Sequence, residues 1–149
     1  MKFSLGDNYI KSLAAGIIYG AQYTPTVGAA KNVFDGLRTS SWFPCNGTTI
    51  ADAWIGLAYM TAKEVNRAVI DFNNPYYTPT NYVLTGFVIE YANDDGIWYN
   101  AYTSGTVNVT NQILTVDFPA ITAKRWRFRM TNCPSWKNRE VSELTFSKV

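Results

Sequence analysis

Residues 124–130 read Lys124-Arg125-Trp126-Arg127-Phe128-Arg129-Met130. Three arginines alternate strictly with Trp126, Phe128 and Met130. On a strand, successive side chains point to opposite faces. This period therefore places three cations on one face and three large apolar groups on the other. A helix would spread both sets around its circumference. The stretch reads as a strand with one core face, and its arginine side reads as a solvated outer face of a sheet. It superficially resembles a basic-aromatic stripe for nucleic acid. Strand alternation argues against that use, because the rings turn to the core and not towards a base.

Working outward, the same period returns. Over 82–91, Val83, Thr85, Phe87, Ile89 and Tyr91 alternate with Leu84, Gly86, Val88 and Glu90. Both faces begin largely apolar, the pattern of a central sandwich strand. Asn93-Asp94-Asp95-Gly96 follows as a turn, and 97–102 reads as the returning strand of a hairpin. Residues 113–118 read as a strand closed by Pro119, and 141–149 is strand-like. Helical periodicity is nearly missing. Residues 61–67 are the one helical candidate, and 10–19 reads as either a helix or a buried strand at that length. Many short strands between Gly, Pro, Asn and Thr loops predict an all-β fold, an antiparallel β-sandwich.

Composition bounds the function. The 149 residues show no repeat, linker or charge run, which predicts a single domain over 1–149, with 1–20 as an N-terminal extension or an extra strand. Apolar residues are 47% of the chain, enough for a full core. Histidine is absent, which removes Ser-His-Asp and Cys-His nucleophile systems and histidine-based zinc sites. A net charge of +2 gives no support for a nucleic-acid partner. No apolar run approaches the ~20 residues of a transmembrane segment. The N-terminus is a poor secretion signal, since Asp7, Asn8 and Lys11 interrupt its apolar stretch. Cys45 and Cys133 are too far apart for a CxxC motif and are expected to be reduced.

Three segments resemble the discoidin, or coagulation-factor C-type, domain family of galactose-binding-like sandwiches. The first is the run from Asn32 through Asp35-Gly36 to Trp42, followed by Ala53-Trp54-Ile55-Gly56-Leu57. The second is Phe87-Val88-Ile89-Glu90-Tyr91 leading through Asp95-Gly96 to Trp98. The third runs from Arg125 to Arg129 and on to Ser142-Glu143-Leu144. The family's terminal cysteine pair is absent here. The resemblance implies a jelly-roll-like sandwich with binding loops at one end and no catalysis. It also implies a structural calcium ion, with Asp35 giving its carboxylate, Asn32, Leu37 and Ser40 giving backbone oxygens, and Glu143 completing the shell. Such an oxygen-rich set suits a hard cation. The alternative is a metal-free turn, with Glu143 paired to Arg38 or Lys137.

The aromatic residues at predicted loops are Trp42, Phe43, Tyr76, Tyr77 and Trp136, with Asn138 and Arg139 close by in sequence. Sugar rings present C–H faces that pack on flat aromatic rings, while amides and arginine bond the hydroxyls. Each ring taken singly also fits core packing. The resulting expectation is a non-catalytic module recognising surface glycans through loop aromatics. The alternative is a structural or decoration component of a virion, such as a phage head or tail, or of another large assembly. There the same fold would contact protein subunits. Without a secretion signal, the expected location is a virion or surface-exposed assembly, and otherwise the cytoplasm.

Overall fold

The computed structural model describes residues 8–12, 17–21, 33–34, 53–72, 83–84, 86–109, 113–131 and 141–149, the first two segments by their backbone. They form nine strands: β1 (Asn8–Ser12), β2 (Ile17–Ala21), β3 (Ala53–Asp71), β4 (Val83–Leu84), β5 (Phe87–Ala92), β6 (Trp98–Thr103), β7 (Val107–Asn108), β8 (Ile113–Met130) and β9 (Glu143–Ser147). A short 3₁₀ turn at 33–34 is the one helical feature among the described residues. The main sheet runs β1-β2-β3-β8-β5-β6, with β9 also paired to β3, and β4 pairs with β7. Every pairing is antiparallel.

Two strands are too long to stay flat. β3 has 19 residues and β8 has 18. Held straight, each would span ~60 Å, about four times the ~15 Å radius of gyration of a chain this size. Their shared ladder breaks register twice, between Ala58 and Lys63 and between Val65 and Arg67, and the wider break is the first. Ala58 pairs with Arg125 and Lys63 with Ala123, so residues 59–62 stand against Lys124 alone. The consequence shows in the rings. Phe118 and Trp126 lie eight positions apart on β8, ~26 Å on a straight strand, yet their centroids are 5.8 Å apart. Trp126 also meets Phe146 of β9 at 5.8 Å. The bend therefore folds one hydrogen-bonded surface into the two layers of a β-sandwich. The first half of β3 and the second half of β8 lie with β2, β5 and β6. The remaining halves lie with β9.

Trp126, Phe128 and Met130 are all fully buried, as the alternation predicts. Phe72, Phe87, Ile55, Ile70, Leu84 and Ile89 complete the large core side chains.

Several local readings change. Pro119 does not end a strand. It lies inside β8, opposite the register shift between Val65 and Arg67, where no ladder hydrogen bond is asked of it. Residues 61–67 are part of β3 and not a helix. Seven residues are too few for a self-supporting helix, and pairing with β8 supplies the backbone bonds that a lone helix would lack. Residues 10–19 divide between β1 and β2. The hairpin's second strand begins at Trp98, one residue later than expected.

The arginine face is not solvated. Glu90 lies opposite Arg127 in register and is only 4% exposed. Arg127 Nε donates to its Oε2 at 2.5 Å, and Arg129 donates through Nε at 3.2 Å and Nη2 at 3.0 Å. The Arg127 guanidinium lies 4.0 Å from the Trp98 ring centroid and 5.5 Å from that of Trp54. Like charges repeating every two residues repel, so one strand cannot hold three arginines under cover alone. A carboxylate on the neighbouring strand removes the conflict, and indole faces shield the cation.

Gly56 makes room for this arrangement. It pairs with Arg127, and a Cβ placed on it would lie 2.5 Å from the Trp126 carbonyl oxygen and 2.7 Å from Arg127 Cβ. Backbone would have to move, so Gly56→Ala is expected to cost ~1–3 kcal/mol as overpacking does. Urea unfolding checks this; an unchanged midpoint would mean the strands are not so close.

The sandwich has two distinct ends. At one, Ala53, Met130 and Phe87 line up, as do Asp71, Ile113 and Glu143. The Phe128 ring ties the layers there, 6.0 Å from Phe72 and 5.3 Å from Phe87. The other end holds the 59–62 bend and the β5–β6 turn, joined by Lys124 and Asp94 at 3.2 Å.

Candidate functional site

Described residues that flank three further segments stand at the first of these ends. Segment 35–52 returns at Ala53. Segment 73–82 leaves after Phe72 and returns at Val83. Segment 132–140 leaves after Thr131 and returns at Val141. The described residues beside them are pinned. Thr131 N donates to Gly86 O at 3.1 Å, and Ser142 N donates to Asp71 O at 2.8 Å. Phe87 N donates to Ser104 Oγ at 2.8 Å, and Ser104 N returns a bond to Phe87 O at 2.9 Å. A rigid rim of sheet ends therefore frames the segments.

Trp42, Phe43, Tyr76, Tyr77, Trp136, Asn138 and Arg139 all fall in these segments and lie outside the described residues. Asn32, Asp35, Leu37 and Ser40, and both cysteines, also lie outside the described residues. Of the expected cation ligands, Glu143 is described. It heads β9, inside the stretch 141–149 read as strand-like, and stands directly across from Asp71 of β3. Leu144 and Ile70 face the core, so Glu143 and Asp71 share the outer face. Side chains so placed have Cβ atoms ~4.5–5.5 Å apart. Asp71 is 5% exposed. Glu143 Oε1 is buried and accepts no hydrogen bond, while the residue takes part in other interactions, as does Asp71.

Sequence reasoning missed Asp71. Its signal was present: Ala68 and Ile70 point inward while Arg67, Val69 and Asp71 point outward, a period of two hidden by the helical reading of 61–67. Val33, wholly buried just before the Asp35-Gly36 turn, belongs to the same core cluster as Val141 and Leu144. Among the described residues, no three His, Cys, Asp or Glu side chains gather as a metal centre. A cation held at Glu143 would need oxygens from residues outside the described ones.

The opposite end is chemically different. Asp95 Oδ1 accepts from Ile97 N at 3.0 Å, and Asp95 Oδ2 accepts from Tyr99 Oη at 3.3 Å. The Asp95 charge is the main cause that raises the Tyr99 phenol above its ordinary pKa. Burial lowers the Arg125 pKa, and Asp94 and Asp95 partly offset this. Met60, Ile97 and Tyr99 are exposed there. No described helix is long and apolar enough to cross a membrane.

The F5/8 type C domain family model matches residues 19–144. The chain belongs to that family, the one that the segments at 32–57, 87–98 and 125–144 resemble. Among curated proteins none matches the sequence. Solved structures do. The family 32 carbohydrate-binding module of Clostridium perfringens NanJ, in complex with galactose, is 19% identical with a TM-score of 0.73, covering 88% of this chain and 93% of that one. Chitosan-binding module 1 from the chitosanase/glucanase of Paenibacillus sp. IK-5 is 23% identical, TM-score 0.71, covering 93% and 100%. The family 32 module of AlyQ, in complex with 4,5-unsaturated mannuronic acid, is 20% identical, TM-score 0.67, covering 88% and 94%. At these identities the likeness establishes the fold, an antiparallel β-sandwich.

Proposed function

We propose that the chain is a non-catalytic module that binds glycans at the loop end of its sandwich. The observation that carries this reading is that Ala53, Phe72, Thr131 and Val141, which flank segments 35–52, 73–82 and 132–140, stand on one rim of the sandwich. Those segments hold the residues read from the sequence as a sugar site: Trp42, Phe43, Tyr76, Tyr77, Trp136, Asn138 and Arg139. The neighbours of like fold, named as binding modules for galactose, chitosan or a mannuronic acid derivative, support the same reading. The virion alternative gains no support from them.

The same end suits a structural calcium ion. Asp35 and Glu143 would supply carboxylates, and Asn32, Leu37 and Ser40 backbone oxygens, with Asp71 across the ladder from Glu143 adding to the negative field. A cation there compensates carboxylates placed under cover, and calcium accepts an irregular shell of 6–8 oxygens. Its role would be to tie the 35–40 turn to β9. Bound to the folded state alone, calcium should raise the melting temperature, and Asp35→Ala should abolish the rise. A wild-type melting temperature indifferent to both calcium and EDTA would remove the ion from the account.

A glycan array run with and without calcium tests the function. Binding is expected, and Trp136→Ala or Tyr77→Ala is expected to weaken it with little change in melting temperature. A fall of ~3–5 kcal/mol in stability from both variants would instead make these rings core residues.

A further inference from the structure

β6 is the last strand of the main sheet, and among the described residues no strand pairs with its other side. Half the backbone groups of such an edge strand point away from its neighbour and are left without a strand partner. Exposed edges are commonly blunted by charge or proline. β1, at the opposite edge, carries Lys11. β6 reads Trp98-Tyr99-Asn100-Ala101-Tyr102-Thr103 and carries neither. Tyr99 is 44% exposed, and Asn100 and Thr103 are exposed as well.

The register of β6 makes it complementary to itself. Ile89 pairs with Tyr102 and Glu90 with Asn100, so Ala101 is one extra residue, a bulge. Strict alternation would put Tyr99 and Tyr102 on opposite faces. The bulge sets both on the core-facing side, where the Tyr99 ring lies 5.6 Å from Tyr91 and the Tyr102 ring 5.8 Å from Phe87. Trp98 and Thr103 take the other side, with Trp98 against Arg127. A two-fold axis between Asn100 and Ala101 therefore sets Tyr99 opposite Tyr102 of a second copy, and Trp98 opposite its Thr103. Aromatic pairs so placed stabilise a ladder. Charge selects the direction. Asp94 and Asp95 precede β6, while residues 104–109 carry no charge. Antiparallel pairing sets the acidic end of one copy against a neutral end, whereas parallel pairing would gather four carboxylates.

We infer that two copies of this chain pair edge to edge through β6, as an antiparallel two-fold dimer with one continuous sheet. The paired strands run in opposite directions, so the two loop ends point away from each other. Resting on the glycan-binding reading above, the dimer then bridges two glycan-bearing surfaces instead of gripping one surface twice.

Sedimentation equilibrium of the whole chain, with no glycan present, tests the pairing. Between ~1 μM and ~1 mM the average mass is expected to rise from one chain to two. Asn100→Lys and Thr103→Lys, at exposed positions, should each keep the melting temperature of the single chain and prevent the rise. Met60→Lys, at a residue 78% exposed on the far bend, should dimerise as the wild type does. Amide hydrogen exchange over 98–103 should slow as concentration rises. A wild type that stays single at ~1 mM, a dimer that survives both edge lysines or is lost with Met60→Lys, or a mass that grows past two chains would overturn the inference. Such a failure leaves the glycan reading standing, and a silent glycan array leaves the dimer standing.

Discussion

Glu90→Ala is expected to destabilise the fold by ~3–5 kcal/mol, the cost of stripping a buried charge of its partner. Glu90 is 4% exposed, and Arg127 and Arg129 both donate to it. Without it, Arg127, set against the indoles of Trp54 and Trp98, and Arg129 both lose the carboxylate that their guanidinium groups donate to. A domain of this kind has only ~5–15 kcal/mol of stability in all, so the loss is large. Chemical denaturation reads it directly. An unchanged midpoint would mean that the arginines are already served by water and that the face is solvated after all. The exposed Arg67–Asp117 pair is the control. Asp117→Asn should change stability far less, because solvent and salt screen the pair. Bonding to Arg67 holds the Asp117 carboxyl below its ordinary pKa. Its contribution is therefore present above the usual carboxylate range and fades as pH falls through the lowered value.

Trp126→Ala should cost as much, ~3–5 kcal/mol, by a different route. The side chain is wholly buried against Tyr91, Phe118 and Phe146, and its Nε1 donates to Ala123 O at 3.2 Å. Phe118 and Phe146 belong to the other layer. The cavity would open where β8 turns back on itself, and collapse around it would require the layers to move together. Calorimetry checks this. A loss below ~1 kcal/mol would place Trp126 outside the joint between the layers.

Both residues show what could be read in the sequence and what could not. The strand at 125–130 was legible because alternation is local: each arginine lies beside an apolar neighbour, and the pattern needs no partner. The state of the arginine face was not. It depends on Glu90, 37 residues before Arg127, and pairing across strands leaves no local mark. The bend at 59–62 was missed for the same reason. Tyr59 and Met60 continue an apolar run, and only the register against β8 shows four residues set against one. Pro119 misled because a proline ends a strand only where its missing N–H is required, which the register shift avoids. Asp71 was obscured by a helical reading of a short segment. The strand over 141–149 was legible, and the structure begins β9 within it at Glu143. The other loop residues fall outside the described part of the chain.

The central claim is that ligand enters at the loop end. Amide chemical shifts followed while a glycan found by the array is added test it most directly. The account predicts that perturbations concentrate at the rim, at Phe72, Gly86, Thr131 and Ser142, while Asp94, Gly96 and Ile97 at the far turn stay still. Perturbations gathered at the far turn, with the rim unchanged, would contradict it.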